Sequence, residues 1–119
     1  MKDILVLAES RDDLCAVKAG AQLAKSHGAR LTCVFLTIIP DNIFTDIAGA
    51  PSFVAQLIAQ ARSDALHAFN GLKSDIAALG APIEVRNVEA FFGAAVETAC
   101  VHARMADVVI MSASSARAE

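Results

Sequence analysis

The 119-residue sequence predicts one open, doubly wound α/β domain: a parallel sheet covered by helices on both faces. Three observations carry this. Four short apolar runs recur along the chain, residues 4–8, 30–39, 82–88 and 108–111, and segments of helical periodicity separate them. The composition is 55% hydrophobic and 19% charged, with mean hydropathy +0.51, which excludes a disordered chain. Ala makes up about a fifth of the residues and favours packed helices over an all-β sandwich.

Each element has a local reason. Ile4-Leu5-Val6-Leu7-Ala8 is continuously apolar, as a strand buried on both faces requires. Ser10-Arg11-Asp12-Asp13 then starts a helix: Ser10 can accept from the Asp13 amide, and both aspartates sit at the positive end of the helix dipole. Leu14, Val17, Ala21 and Ala24 keep helical spacing to Gly28, a C-terminal stop. Residues 30–39 form a β-branched strand ended by Pro40, and residues 41–51 a loop in which Ile43, Phe44 and Ile47 pack locally. A long helix over 52–79 carries Val54, Leu57, Ile58, Ala61, Ala65, Phe69, Leu72, Ile76 and Leu79 on one stripe. Ile83 and Val85 alternate with Glu84 and Arg86, the pattern of an edge strand with one wet face. A helix over 93–104 turns Ala95, Val96, Ala99 and Ala103 inward, and Asp107 leads into a fourth buried strand, Val108-Val109-Ile110-Met111.

Composition also bounds function. The net charge is −3, and Trp and Tyr are absent, so the chain has neither the electrostatic footprint nor the stacking rings of a nucleic-acid binder. The apolar run at 31–39 is shorter than the roughly 20 residues a bilayer span needs, and the N-terminus lacks the pattern of a secretory signal, so no membrane partner is expected. Cys15, Cys33 and Cys100 form no CxxC pair and read as small buried hydrophobes of a reducing, cytoplasmic compartment.

In such a sheet, ligands bind beyond the carboxyl ends of the strands where the strand order reverses. With the first strand central, the candidate crevice residues are Ala8, Glu9 and Ser10 after it, Leu36 near the end of the second, and Met111, Ser112, Ser114 and Ser115 after the fourth. Cys100 and His102 lie two apart on a helix, about 200° around it, and cannot readily share one metal ion. His67 stands three residues from Asp64 as a solvated pair, and Phe91-Phe92 reads as the packing lid of the third helix.

These residues also carry a resemblance. Lys2-Asp3-Ile4-Leu5-Val6-Leu7-Ala8-Glu9-Ser10 resembles the opening K-I-L-V-A-V-D-G-S of the universal stress protein family. Gly28-Ala29-Arg30-Leu31-Thr32 is similar to its G-A-x-L-x-L, and Met105-Ala106-Asp107-Val108-Val109-Ile110-Met111-Ser112 to its G-A-D-L-I-V-M-G. The match follows the whole chain in order, and residues 89–106 look most like the first halves of tandem bacterial members. The resemblance implies the Rossmann-like fold shared with adenine nucleotide alpha hydrolases. It also implies a stress-related regulatory module that dimerises.

Members that bind ATP have an Asp ending the first strand and G-x-x-G after the fourth, followed by a Gly-Ser or Gly-Thr. Here Glu9 stands at the Asp position, Ser112 and Ser115 at the two glycines, and Ser114 where His or Arg is common. The resemblance thus implies a degenerate nucleotide site with no cofactor, the alternative being a genuine ATP or AMP binder that uses serine hydroxyls. No metal and no catalysis are expected. The acidic pocket of a receiver domain, the S-G-G-x-D-S loop of an ATP pyrophosphatase and the CxxC of a thioredoxin all lack their residues here. A complete family domain adds a fourth helix and a fifth strand. The chain is therefore expected to be C-terminally incomplete, a piece of a longer protein, with its fourth-strand edge paired in a homodimer or covered by another chain.

Overall fold

A computed structural model describes residues 2–39 and 50–112, without the side chains of 50–52. The order is β1 (Asp3–Ala8), a 3-10 turn (Arg11–Asp13), α1 (Leu14–His27), β2 (Arg30–Ile39), α2 (Ala50–Ala77), β3 (Ile83–Phe91), a second 3-10 turn (Phe92–Ala94), α3 (Ala95–Ala103) and β4 (Val108–Met111). The four strands form one parallel sheet in the order β3-β2-β1-β4, so β1 is central and the direction of winding reverses there. The expected α/β architecture and the central position of β1 are thus found. No described helix is long and apolar enough to cross a membrane.

Register explains how the helices distribute. β1 pairs with β2 as Ile4↔Leu31 through Ala8↔Phe35, and with β4 as Ile4↔Val108 through Leu7↔Met111. Ile4, Val6, Ala8, Leu31, Cys33 and Phe35 therefore share one sheet face, and they form the main core with Ala16, Val17 and Ala24 of α1 and Leu72 and Ile76 of α2. The successive crossovers β1→β2 and β2→β3 run in one direction and right-handed connections place α1 and α2 on this face. The crossover β3→β4 runs back, which puts α3 on the other.

Close approach sets α1. A Cβ on Gly20 would lie 2.9 Å from Val6 Cγ2 and 3.1 Å from Leu31 Cδ1, so glycine lets the helix sit down on the junction of β1 and β2. Gly28 ends the helix in the left-handed region at φ 63°, with the Ala29 N–H donating to the Ala24 carbonyl at 2.9 Å. On α2, Phe69 packs edge-on against Phe35 at 5.6 Å between ring centroids.

Several expectations require correction. Among the described residues α3 alone covers the second face, through Ala95 and Ala99 against Leu36, Val88 and Ala90, and covers it in part. β4 is accordingly not a buried strand: Val109 and Met111 are exposed, while Val108 and Ile110 pack on the α1 side. Val96 was expected inward and is 77% exposed, because Ala95 and Ala99 occupy the helix stripe that meets the sheet. Phe91 and Phe92 are likewise exposed and form no packing lid. β3 runs to Phe91 rather than 88 because β2 continues to Ile39 and pairs with it there. Among the cysteines, Cys33 is buried but Cys15 and Cys100 are exposed. Asp64 accepts a hydrogen bond from Gln60 Nε2 at 2.8 Å, one turn away, in place of the pair expected with His67. The loop expected over 41–51, with Ile43, Phe44 and Ile47, falls outside the described residues as far as 49, and Ala50 and Pro51 already belong to α2.

Candidate functional site

The segment after β1 is fastened from two sides. Asp13 is buried in the 3-10 turn, and its Oδ2 accepts the backbone N–H of Glu9 at 2.7 Å and of Ser10 at 3.1 Å. This is the acidic half of a capping box, formed because Asp stands three residues after Ser10. The other half is present too: the Ser10 side chain accepts the Asp13 backbone N–H, as expected, and that N–H also lies 3.2 Å from the Ser10 carbonyl. On the outer side, Arg11 reaches across α2 at Gly71 and forms two parallel hydrogen bonds to Asp75, at 2.8 and 3.1 Å. Arg11 thereby holds the Asp75 carboxyl below its usual range.

At the start of β1 a comparable device sets β4. The Asp107 carboxylate accepts the N–H of Lys2 at 2.7 Å and of Asp3 at 3.1 Å, and its own N–H donates to the Asp3 carbonyl at 2.8 Å. Those backbone donors lower the Asp107 carboxyl from its usual value. Asp107 therefore fixes the β1–β4 register at the far end of the strands from the crevice.

At the carboxyl ends of β1, β2 and β4 the sheet and α3 enclose a crevice of about 140 Å³. Leu7, Leu36 and Met111 come from the strands, Ala95, Val96 and Ala99 from α3, and Glu9 from the segment after β1. Glu9 is the one charged residue among the described lining residues. Partial burial, and secondarily the charge of Asp13, push its carboxyl above the usual value. Burial, with Asp13 again contributing, pushes the Cys33 thiol up to about 11.

The predicted site residues separate at this point. Glu9, Leu36 and Met111 line the crevice together. Ala8 is buried on the opposite sheet face in the main core, and Ser10 is engaged by Asp13 as a helix cap. Ser112 follows β4 directly and is half-buried, while Ser114 and Ser115 lie outside the described residues. Leu7, Ala95, Val96 and Ala99 were missed. Strand period two would have found Leu7, two residues before Glu9, and the i, i+4 pair Ala95/Ala99 marks the contact stripe of α3.

A larger groove of about 760 Å³ opens at the amino ends of the strands, on the sheet face that α3 leaves uncovered. Leu5, Thr32, Glu84, Arg86, His102 and Met105 are among its walls. Its two arginines are already paired, Arg30 with Asp3 and Arg86 with Glu84, each at 3.0 Å, so it presents little free positive charge. His102 is half-buried on this wall and is not a free surface residue. Among the described residues, no three His, Cys, Asp or Glu side chains gather as a metal site.

Solved structures share this fold. The universal stress protein UspA from Lactobacillus plantarum is similar at TM-score 0.64 and 20% identity, over 92% of this chain and 75% of that one. A protein of the universal stress protein family from Burkholderia pseudomallei is similar at TM-score 0.59 and 22% identity, over 96% of this chain and 83% of that one. The resemblance read from the three strand motifs is thus matched at the level of fold. No family model matches the chain, and no curated protein matches it.

Proposed function

We propose that the chain is a universal stress protein-type regulatory module that binds a small molecule in the crevice at Glu9 without transforming it. One observation carries the reading: the crevice lies where the winding reverses, the place ligands occupy in this architecture, and the one charged wall among its described residues is a carboxylate. A phosphate chain entering there would meet Glu9 with buried Asp13 behind it, and no Lys, Arg or His among the described lining residues. Ser112 and Ser115 stand where the nucleotide-binding motif has glycines whose backbone amides approach phosphates.

The reading extends to assembly and location. Among the described residues β4 pairs with β1 on one side alone, which supports pairing of its other edge with a second copy or another chain. Light scattering is expected to show a dimer, and a clean monomer at high concentration would refute the homodimer. The free cysteines are consistent with a reducing, cytoplasmic compartment.

Thermal-shift titration with ATP and AMP tests the degenerate site. A ligand of about 1 μM Kd at about 1 mM would stabilise the fold by about 4 kcal/mol. No shift of that size is expected. Finding one would establish the alternative, an ATP- or AMP-binding stress protein, and turnover of labelled ATP would overturn the non-catalytic reading.

A further inference from the structure

The crevice is small and apolar, and its described lining carries one charge; these three properties together select what it can hold. Its volume of about 140 Å³ is close to the roughly 150 Å³ of an apolar cavity that accommodates benzene, and well below the roughly 300 Å³ at which pockets for larger organic ligands begin. One ring, or an aliphatic body of that size, fits between Leu7, Leu36 and Met111. Apolar walls offer such a body burial and offer a polar group nothing. At the rim, Glu9 supplies the charge, and Asp13 adds negative potential from four residues on. Among the described residues lining the crevice there is no cation to attract an anionic head.

We propose that the crevice selects a small hydrophobic amine, its apolar body seated between Leu7, Leu36 and Met111 and its ammonium group on the Glu9 carboxylate. The inference rests on the crevice being the binding site, as argued above, and adds the chemical class of its ligand. Charge complementarity sets the order of preference among bodies of one size: cation first, neutral next, anion last. Val96, exposed on the α3 side, forms the wall past which the ligand enters.

The test uses three single-ring probes that share one phenylethyl body, phenethylamine, 2-phenylethanol and 3-phenylpropionate, with AMP alongside. Binding is followed through the methyl resonances of Leu7, Leu36, Val96 and Met111. The amine is expected to bind about tenfold more tightly than the acid, equivalent to about 1.4 kcal/mol, with the alcohol between them. Glu9→Gln is expected to erase that order and Glu9→Lys to reverse it. Glu9 is exposed, so both variants are expected to keep the fold, which circular dichroism checks. Equal binding of the three probes, or a preference that survives Glu9→Gln, would overturn the ligand class and leave the crevice reading standing. Methyl resonances that respond to no probe and not to AMP would overturn both, whereas a response to AMP alone would overturn the ligand class and establish the nucleotide-binding alternative.

Discussion

Asp13→Ala removes the side chain on which the segment after β1 depends. Asp13 is 1% exposed, and its Oδ2 accepts two backbone N–H groups, from Glu9 and Ser10, that belong to the turn and not to a strand ladder. Hydrogen bonds to a charged acceptor contribute about 1.5–3 kcal/mol each. Both bonds end on one oxygen, and the turn can admit some water once the side chain is gone, so the loss is about 2–4 kcal/mol rather than the full sum. For a domain of 119 residues, about 1 kcal/mol moves Tm by roughly 3–5 °C, which gives a fall of roughly 6–20 °C. Urea denaturation with an unchanged m-value measures the free energy directly. Asp13→Asn retains an acceptor oxygen and is expected to recover about half of the loss. In either variant the Glu9 carboxyl should titrate closer to its ordinary value, though not reach it, because burial is the larger cause of its shift. A loss in Asp13→Ala below about 0.5 kcal/mol, or an Asn variant no better than Ala, would refute the reasoning.

Gly20→Ala places a methyl 2.9 Å from Val6 Cγ2, and overpacking of about 1–3 kcal/mol outweighs the roughly 1 kcal/mol of helix propensity gained; a stabilised variant by thermal melt would contradict this. Asp107 ionises more easily folded than unfolded, so its contribution is present above the ordinary Asp value of 3.8 and is lost as pH falls through the lower folded value. Asp107→Asn is accordingly expected to lower the urea midpoint at pH 7, with the gap to the parent protein closing on acidification. A gap constant with pH would refute the linkage. In the native protein a maleimide should label Cys15 and Cys100 readily and Cys33 only after unfolding, since the Cys33 thiol is buried and its pKa stands at about 11. Mass spectrometry would count the adducts, and labelling of Cys33 at the rate of Cys100 would show that the core opens.

The parallel order and the place of the crevice were legible because they follow from few rules. Continuous apolar runs such as Ile4–Ala8 mark central strands, and a central β1 fixes where the winding reverses. The role of α3 was not legible. Ala95, Ala99 and Ala103 dominate that helix, and alanine suits a buried and an open face equally, so nothing in the pattern turned Val96 outward. The exposure of Phe91 and Phe92 escaped for a related reason: an aromatic pair reads as core unless the coverage of the sheet beyond it is known. Asp13 was placed at the right helix end, yet its burial follows from the packing of Arg11 and the turn against α2, a contact more than sixty residues distant in sequence.

The way β4 joins the sheet ties binding to the cooperativity of the fold. In a single copy, β1, α1, β2 and α2 supply the buried residues of the main core. β4 packs on it through half-buried Val108 and Ile110, is four residues long, has one strand neighbour among the described residues, and must find β1 across about a hundred residues of chain. It is therefore the segment whose opening requires the least free energy, a sub-global unit released before the rest. Met111 leaves the crevice whenever that unit opens. A ligand held there would slow hydrogen exchange at the β4 amides before those of β2, so occupancy would be reported by the most labile strand of the sheet.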